Sequence, residues 1–465
     1  MPLTLSELLT LHRRRFLGIA GGSFGLVPLA SLWHAETVAA VSRPAAVKRV
    51  VFLFMNGGPS QIDTFDPKPA LARLDGTSFQ GGRIGSGTRA VGRLWQSAFQ
   101  FRRQGDSGLE VSELYPEIGH FADDLCVIRS LRTDSPIHAG ALLQMQTGQD
   151  TLGGATLGAW VDYGLGDPRL DLPTFVVMPD ARGDPINAEA NWSTGRLPVT
   201  EATCIRSMTT PLPGLRRSRP LPVGRERLLR ETVRRLHADH LQRVGPDADM
   251  LRRIATYEQA WRMQAAAPEA VDLSRESQHT RRLYGLDRPD TADFGSRCLL
   301  ARRLLERGVR FVQIYSGGGK QEDTWDAHVG NNPRHRKFAM ETDRPIAALL
   351  EDLKRTGLWD DTLVIWGGEF GRTPTMEARS QGRDHNAEGF TMWLAGGAVR
   401  GGHTVGATDE IGFRAVENVC TVADLHATIL HLLGIDHTAL RWSHDGLEAS
   451  LTGTTPCRVI TEALA

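Results

Sequence analysis

Three apolar runs in this chain each end in glycine, and metal-capable side chains follow each one. They are VVFLFMNGG from Val50, with Asp63 and Asp66 behind it; VRFVQIYSGGG from Val309, with Asp326 and His328; and TLVIWGGEFG from Thr362, with Glu369. An unbroken apolar run of this length suits a strand covered on both faces, as in a parallel sheet. Open α/β sheets hold their ligands beyond the carboxyl ends of the strands. The chain is therefore expected to form an α/β fold with carboxylates and imidazoles gathered along one sheet edge, the makings of a metal-assisted active site.

The rest of the pattern supports alternation of strand and helix. Leu125–Arg129, Thr174–Met178 and Thr391–Ala395 read as further strands. Glu113–Phe121, Cys298–Arg307, Phe338–Arg355 and Val422–Leu433 read as helices, as does Ala141–Gln146, stopped by Thr147-Gly148. Such alternation predicts a doubly wound, mostly parallel sheet with helices on both sides. The glycine- and arginine-rich stretch from Thr77 to Gly108 reads as a surface excursion. From Asp180 the texture changes, and residues 181–297 are expected to form an arginine-rich helical insertion in one domain running over 41–465. Within it Leu229, Val233 and Leu236 mark one helix face.

Charge excludes some partners. The chain carries 54 basic and 54 acidic side chains, so nothing in the balance calls for nucleic acid. Nine arginines crowd between Pro211 and Arg243, but without interleaved aromatics they read as a solvated helical surface. The five cysteines, Cys126, Cys204, Cys298, Cys420 and Cys457, are scattered, with no CxxC pair to make a thiolate zinc site. There is no P-loop, no GxGxxG following a strand, no HExxH and no GxSxG elbow, which removes several common enzyme classes.

The N-terminus reads as an address. Arg13-Arg14-Arg15-Phe16-Leu17 fits a twin-arginine export signal, followed by an apolar stretch to Trp33 and the small residues Val38-Ala39-Ala40. Residues 1–40 are expected to be removed by signal peptidase after the twin-arginine machinery exports the folded chain. The mature protein would then be periplasmic or otherwise extracytoplasmic, with no membrane span left.

Asn56-Gly57-Gly58 closes the first strand, and an asparagine carbonyl can ligate a hard cation. Asp326 and His328 stand two residues apart beyond the second strand and can reach one ion together. Glu369 ends the third strand between glycines, with Arg372 close behind as a pairing partner. Gly382-Arg383-Asp384-His385 adds a carboxylate, an imidazole and a guanidinium able to bind an oxyanion. His138 is a further base or ligand. His426 and His431 lie within an amphipathic helix and read as helix residues.

These motifs, in this order, resemble the alkaline phosphatase and sulfatase superfamily, and within it a twin-arginine-exported bacterial family of unknown function. The resemblance rests on NGGPSQIDTFDPKP from Asn56, CLLARRLLERGVRFVQIYSGG from Cys298, TWDAH from Thr324, TLVIWGGEFGRTP from Thr362, GRDH from Gly382 and VADLHATILHLLGI from Val422. It implies the three-layer alkaline phosphatase-like fold and a hydrolase of phosphate or sulfate esters, acting on a small-molecule or glycan substrate. One or two divalent ions (zinc, calcium, magnesium or manganese) would be held by some of Asn56, Asp326, His328, Glu369, Asp384 and His385. Thr133 or Ser135 would be the nucleophile, or His138 the base for a water, with Arg372 or Arg383 stabilising charge. The chain departs from the superfamily pattern at Asn56, where an aspartate is usual, and at Phe370, where a second ligand is usual. Those departures support an alternative, a scaffold that has lost hydrolysis and binds a glycan or another partner. No Cys-x-Pro-x-Arg sulfatase signature is present.

Overall fold

The computed structural model describes residues 43–79, 92–167, 170–212, 222–245, 248–377, 380–444, 446–454 and 456–465. The export signal expected over 1–40 lies outside the described residues, as does the 213–221 part of the arginine-rich stretch.

Among the described residues nine strands form one sheet. In chain order they are β1 (Arg49–Met55), β2 (Leu125–Arg132), β3 (Phe175–Met178), β4 (Thr203–Cys204), β5 (Phe311–Ser316), β6 (Thr362–Gly367), β7 (Phe390–Gly396), β8 (His403–Val405) and β9 (Cys420–Thr421). Across the sheet they run β8-β2-β7-β6-β1-β5-β3-β4, with β9 also beside β2. All the pairings are parallel except those made by β7, which runs antiparallel between β2 and β6.

Alternation along β1 shows why the apolar runs are unbroken. Val51, Leu53 and Met55 face one buried cluster; Val50, Phe52 and Phe54 face another. Successive side chains on a strand point to opposite faces, so a strand covered on both sides favours apolar residues at every position. On one face lie α5 (Pro289–Glu306) and α6 (Asn331–Arg355), which contribute Cys298, Leu299, Phe338 and Leu350. On the other lie α1 (His138–Thr147), α2 (Leu157–Leu165) and α7 (Val422–Leu432), with Leu142, Met145, Trp160 and Ile429. Burying side chains of this size stabilises by about 1.5–3 kcal/mol each. The result is an α/β fold of three layers, with a mostly parallel central sheet between helices.

Several expected boundaries move. The helix expected to start at Ala141 begins at His138, because Ile137 is still extended and serves as its cap; Gly148 ends it with φ of 76°. The stretch expected to be helical from Glu113 to Phe121 is helical only over Pro116–Gly119 and tightens into a 3₁₀ turn after Phe121. The excursion expected from Thr77 to Gly108 contains a strand, Phe101–Gln104, paired with Leu109–Ser112. The arginine-rich segment forms α3 (Val223–Val244) and α4 (Ala248–Ala270); Met263, Ala267 and Ala270 of α4 pack into the core beside α5. The five cysteines are free thiols. Among the described residues no helix is long and apolar enough to cross a membrane.

Candidate metal centre

Four strands deliver the site at one edge of the sheet. β1 runs into Asn56-Gly57, β5 into the loop that carries Asp326 and His328, and β6 into Gly368-Glu369. β2 leads through Thr133 to α1, whose first residue is His138. A short antiparallel ribbon, Gly371–Arg372 against His385–Asn386, brings Arg372 and His385 back over the strand ends. Glycine is required where these segments cross. Gly57 has φ of 113°, and a Cβ there would lie 2.5 Å from the Asp326 nitrogen. A Cβ on Gly382 would lie 1.9 Å from the His328 carbonyl oxygen.

Three imidazoles converge on Asp326. His138 Nε2 lies 3.4 Å from Asp326 Oδ2, while His328 Nε2 and His385 Nε2 lie 3.3 and 3.5 Å from Oδ1. The His328 and His385 Nε2 atoms are 2.8 Å apart. Each ring turns its other nitrogen to an acceptor. His138 Nδ1 donates to Glu369 Oε1 at 2.6 Å, His328 Nδ1 to Glu377 Oε1, and His385 Nδ1 to the Pro136 carbonyl at 2.8 Å. An Nδ1 proton committed outward leaves the Nε2 lone pair pointing inward, the tautomer a metal ligand needs. His138 Nε2 is buried with its nearest acceptor, Asp326 Oδ2, at a long 3.4 Å and makes no well-formed hydrogen bond, and a buried polar atom so poorly satisfied calls for an explanation. His138, Asp326 and His385 form one group of side chains able to hold an ion, and His328, Asp384 and His385 a second that shares His385.

The electrostatics set the imidazoles apart. Burial, with the Arg372 guanidinium and His138 nearby, pushes the His385 imidazole down to about 3, so it is neutral. Burial alone would raise the Asp326 carboxyl. The Arg372 guanidinium, 2.8 Å from Oδ1, and hydrogen bonds to His138 and His385 instead hold it far below the usual carboxylate range. His138 feels burial downward, but hydrogen bonds to Asp326 and Glu369 bring it out above its ordinary value. Phe370 packs against the His138 and His385 rings, with centroids 4.7 and 4.5 Å away, and walls the centre on one side.

The site residues named from sequence divide into two sets. His138, Asp326, His328, Glu369, Arg372 and His385 meet at the centre, and Asp384 lies 3.9 Å from His328 Nδ1. Glu369 points both oxygens at neighbours, accepting from the Gly57 N–H at 2.9 and 3.2 Å as well as from His138. The remaining residues turn elsewhere. Asn56 donates to the Gly317 carbonyl at 3.1 Å. Thr133 bonds to Gln144 at 2.6 Å, and the Ser135 hydroxyl to the Ile137 carbonyl at 3.2 Å. Arg383 is buried against Asp63 at 3.0 Å and donates to the carbonyls of Thr373, Trp95 and Gln96, so it does not present its fork to the centre. Asp63 also accepts from Ser60, Ser97 and Asn331, and Asp66 from Thr408 and Lys68. Both aspartates hold the framework. His426 is buried in α7, 2.9 Å from the Met145 carbonyl. Glu377 and the Pro136 carbonyl, two of the three groups that orient the imidazoles, were not anticipated.

Comparison with known proteins gives three observations. Solved structures similar in outline include a PsFucS1 sulfatase from Pseudoalteromonas (13% identity over 90% of this chain and 77% of the other, TM-score 0.37). They also include the lipoteichoic acid synthase LtaP from Listeria monocytogenes (9%, 91% and 80%, TM-score 0.35) and a TAB5 alkaline phosphatase variant with Mg bound (12%, 84% and 99%, TM-score 0.35). No curated protein matches the sequence. A family model covers nearly all of the described chain, residues 47–464, and the protein therefore belongs to the family described as protein of unknown function (DUF1501).

Proposed function

We propose that this protein is an exported, metal-dependent hydrolase of a phosphate or sulfate ester. The observation that carries the reading is the convergence of three imidazole Nε2 atoms on Asp326. The donor set fits an ion: imidazole nitrogens and one carboxylate suit zinc better than calcium or magnesium, which prefer all-oxygen shells. His138, Asp326, His328 and His385 would hold it, with Asp384 beside His328. A bound divalent ion supplies Lewis acidity to the ester oxygen and lowers the pKa of a water or hydroxyl beside it.

The chain's own groups do the rest. Glu369, Glu377 and the Pro136 carbonyl hold the ring orientations. Arg372 keeps Asp326 ionised. Phe370 excludes water from one side. Hydrolysis breaks the phosphorus– or sulfur–oxygen bond, adding hydroxyl from water to the central atom and a proton to the departing alcohol. With the Thr133 and Ser135 hydroxyls held in local hydrogen bonds, direct attack by water fits the arrangement better than a covalent intermediate. Delivery by the twin-arginine route, read from residues 13–17, places the reaction outside the cytoplasm.

A second reading has its own observation. Arg372 donates to Gly57, Gly58 and Arg383 carbonyls as well as to Asp326, and Arg383 is engaged by Asp63, so neither guanidinium is free to clamp an oxyanion. That favours a metal-retaining scaffold that binds a glycan or partner without hydrolysing it. The two are separated by metal content, measured by mass spectrometry on chelator-free exported protein, together with a screen of phosphate and sulfate esters. Stoichiometric metal with ester hydrolysis, both lost in His328→Ala, supports the hydrolase. Metal without hydrolysis supports the scaffold, and an intact fold with no metal overturns both.

A further inference from the structure

A cavity of about 820 Å³ opens in a part of the molecule that shares no residue with the metal centre. Small-molecule sites occupy about 300–1,000 Å³. Its apolar lining is Leu74, Phe79, Leu94, Ile411 and Phe413, and Arg414 adds a guanidinium. The rings of Phe79 and Phe413 meet edge to face with centroids 5.4 Å apart, so two segments distant in sequence close one wall. Phe79 and Ile411 pack on the small cluster of Ile62, Leu71 and Leu94, which forms the base. Thr77 and Ser78 are exposed at the rim.

The lining holds one charge of each sign, and only one is turned outward. Arg414 is exposed, with its guanidinium carbon 5.4 Å from the Phe413 ring centroid. Asp409 is occupied by its own loop. Its Oδ1 accepts from the Ile411 and Phe413 N–H groups at 3.2 and 2.8 Å, and its Oδ2 from the Arg414 N–H at 3.0 Å. That loop is also held from behind. Gln61 donates to the Gly412 carbonyl at 2.7 Å, and Asn386 to the Gly412 and Phe413 carbonyls at 3.3 and 2.9 Å. A wall fixed in this way loses little freedom when a ligand enters, which favours binding.

We propose that this cavity is a second binding site, for a small aromatic monoanion of the aryl sulfonate or aryl carboxylate class. The aromatic ring lies against Phe79, Ile411 and Phe413, where burial of its faces supplies the affinity. The anionic group meets Arg414, whose planar fork suits a group presenting two oxygens. The site stands apart from the ester-hydrolase reading and needs no metal.

The test is calorimetric titration of the exported protein with 2-naphthalenesulfonate, 2-naphthoate, methanesulfonate and the uncharged 2-naphthalenesulfonamide. 2-Naphthalenesulfonate is expected to bind about 100-fold more tightly than methanesulfonate, the gain from burying roughly 110 Å² of apolar surface. It is expected to bind about tenfold more tightly than the sulfonamide, a difference that should vanish in Arg414→Gln. Arg414 is exposed, so that variant is expected to keep its fold and its metal content. Phe79→Ala, with an unchanged melting midpoint, is expected to lose about tenfold for both naphthyl anions. The tighter of 2-naphthalenesulfonate and 2-naphthoate identifies a sulfonate-like or a carboxylate ligand. Binding unchanged in His385→Ala keeps the anion away from the metal centre, whereas its loss there overturns the proposal. No binding, equal affinity for the naphthyl and methyl anions, or an Arg414→Gln protein that still prefers the anion over the sulfonamide also overturns it.

Discussion

His328 and His385 face each other through Nε2 atoms only 2.8 Å apart, although each has its Nδ1 proton committed to an acceptor on its far side. Two lone pairs at that distance repel unless a cation or a proton lies between them. Replacing either ring by alanine is expected to remove bound metal from protein that still folds. Glu377→Gln, which removes the charge that orients His328, is expected to weaken metal binding about 10- to 100-fold. Competition against a chromophoric chelator measures both; metal affinity unchanged in Glu377→Gln would show that His328 does not need its partner.

Glu369→Ala acts through two donors at once. It leaves the buried Gly57 N–H and the His138 Nδ1 without an acceptor, and each loss costs about 1–3 kcal/mol. Urea unfolding of the metal-stripped variant is expected to show a total loss of about 2–6 kcal/mol. A midpoint equal to that of the parent protein would mean that water enters and satisfies both groups.

The Asp63–Arg383 pair is fully buried and ties the ribbon that carries His385 to the helix turn after β1. Removing one partner from a buried pair costs about 3–5 kcal/mol, because the other charge is left unanswered. Asp63→Ala is expected to fall in that range. The double variant Asp63→Leu, Arg383→Met is expected to recover part of the loss, which a thermodynamic cycle on denaturation midpoints would show.

Acid should destabilise the fold earlier than its carboxylates alone would require. Burial pushes His335 and His426 each down to about 4. His335 accepts from the Ser60 N–H and donates to the Asn331 carbonyl, so protonation breaks a bond. Both are neutral in the fold but titrate near 6.5 when unfolded. The unfolded chain therefore binds more protons below pH 6.5, and the stability these residues contribute, intact above that pH, falls as the pH drops toward 4. Each contributes up to about 3 kcal/mol of this loss. Denaturation midpoints at pH 8, 6 and 5 should be flat over the first interval's upper part and fall steeply over the second. His426→Gln should reduce the slope, and a slope unchanged in that variant counts against the assignment.

Gly57→Ala places a Cβ 2.5 Å from the Asp326 nitrogen at a φ of 113° that alanine rarely adopts. The expected cost is about 3 kcal/mol or more, from strain and displacement together. Because the displaced segment carries Asp326, metal affinity should fall as well, which calorimetry with zinc would register.

Strands β1, β5 and β6 were legible in the sequence because burial on both faces makes them almost wholly apolar, Gln313 in β5 being a buried exception, and their glycine endings located the site edge. Asp326 and His328 were legible for the same reason, standing just beyond β5. The antiparallel course of β7 was not, since Phe390–Gly396 reads as apolar in either direction. The parts played by Arg383 and Asn56 were also hidden. Their types suit anion and cation binding, but the Asp63 carboxylate and the Gly317 carbonyl that engage them are 320 and 261 residues away. Glu377 lies in a loop with no periodicity to mark it, and the Pro136 carbonyl belongs to the backbone, where side-chain identity says nothing.

The long reach of these contacts has a consequence for assembly. His138 and Glu369 are 231 residues apart, and Pro136 and His385 are 249 apart. Loops of that size close late and only when the sheet is in register, because their entropy must be offset by many non-local contacts. An unfolded chain therefore lacks the assembled cluster, and only the finished architecture brings His138, Asp326, His328 and His385 together. By mass action a bound ion would act as a clasp, adding stability in proportion to the logarithm of its concentration over its dissociation constant, and its capture would report that these distant segments have met.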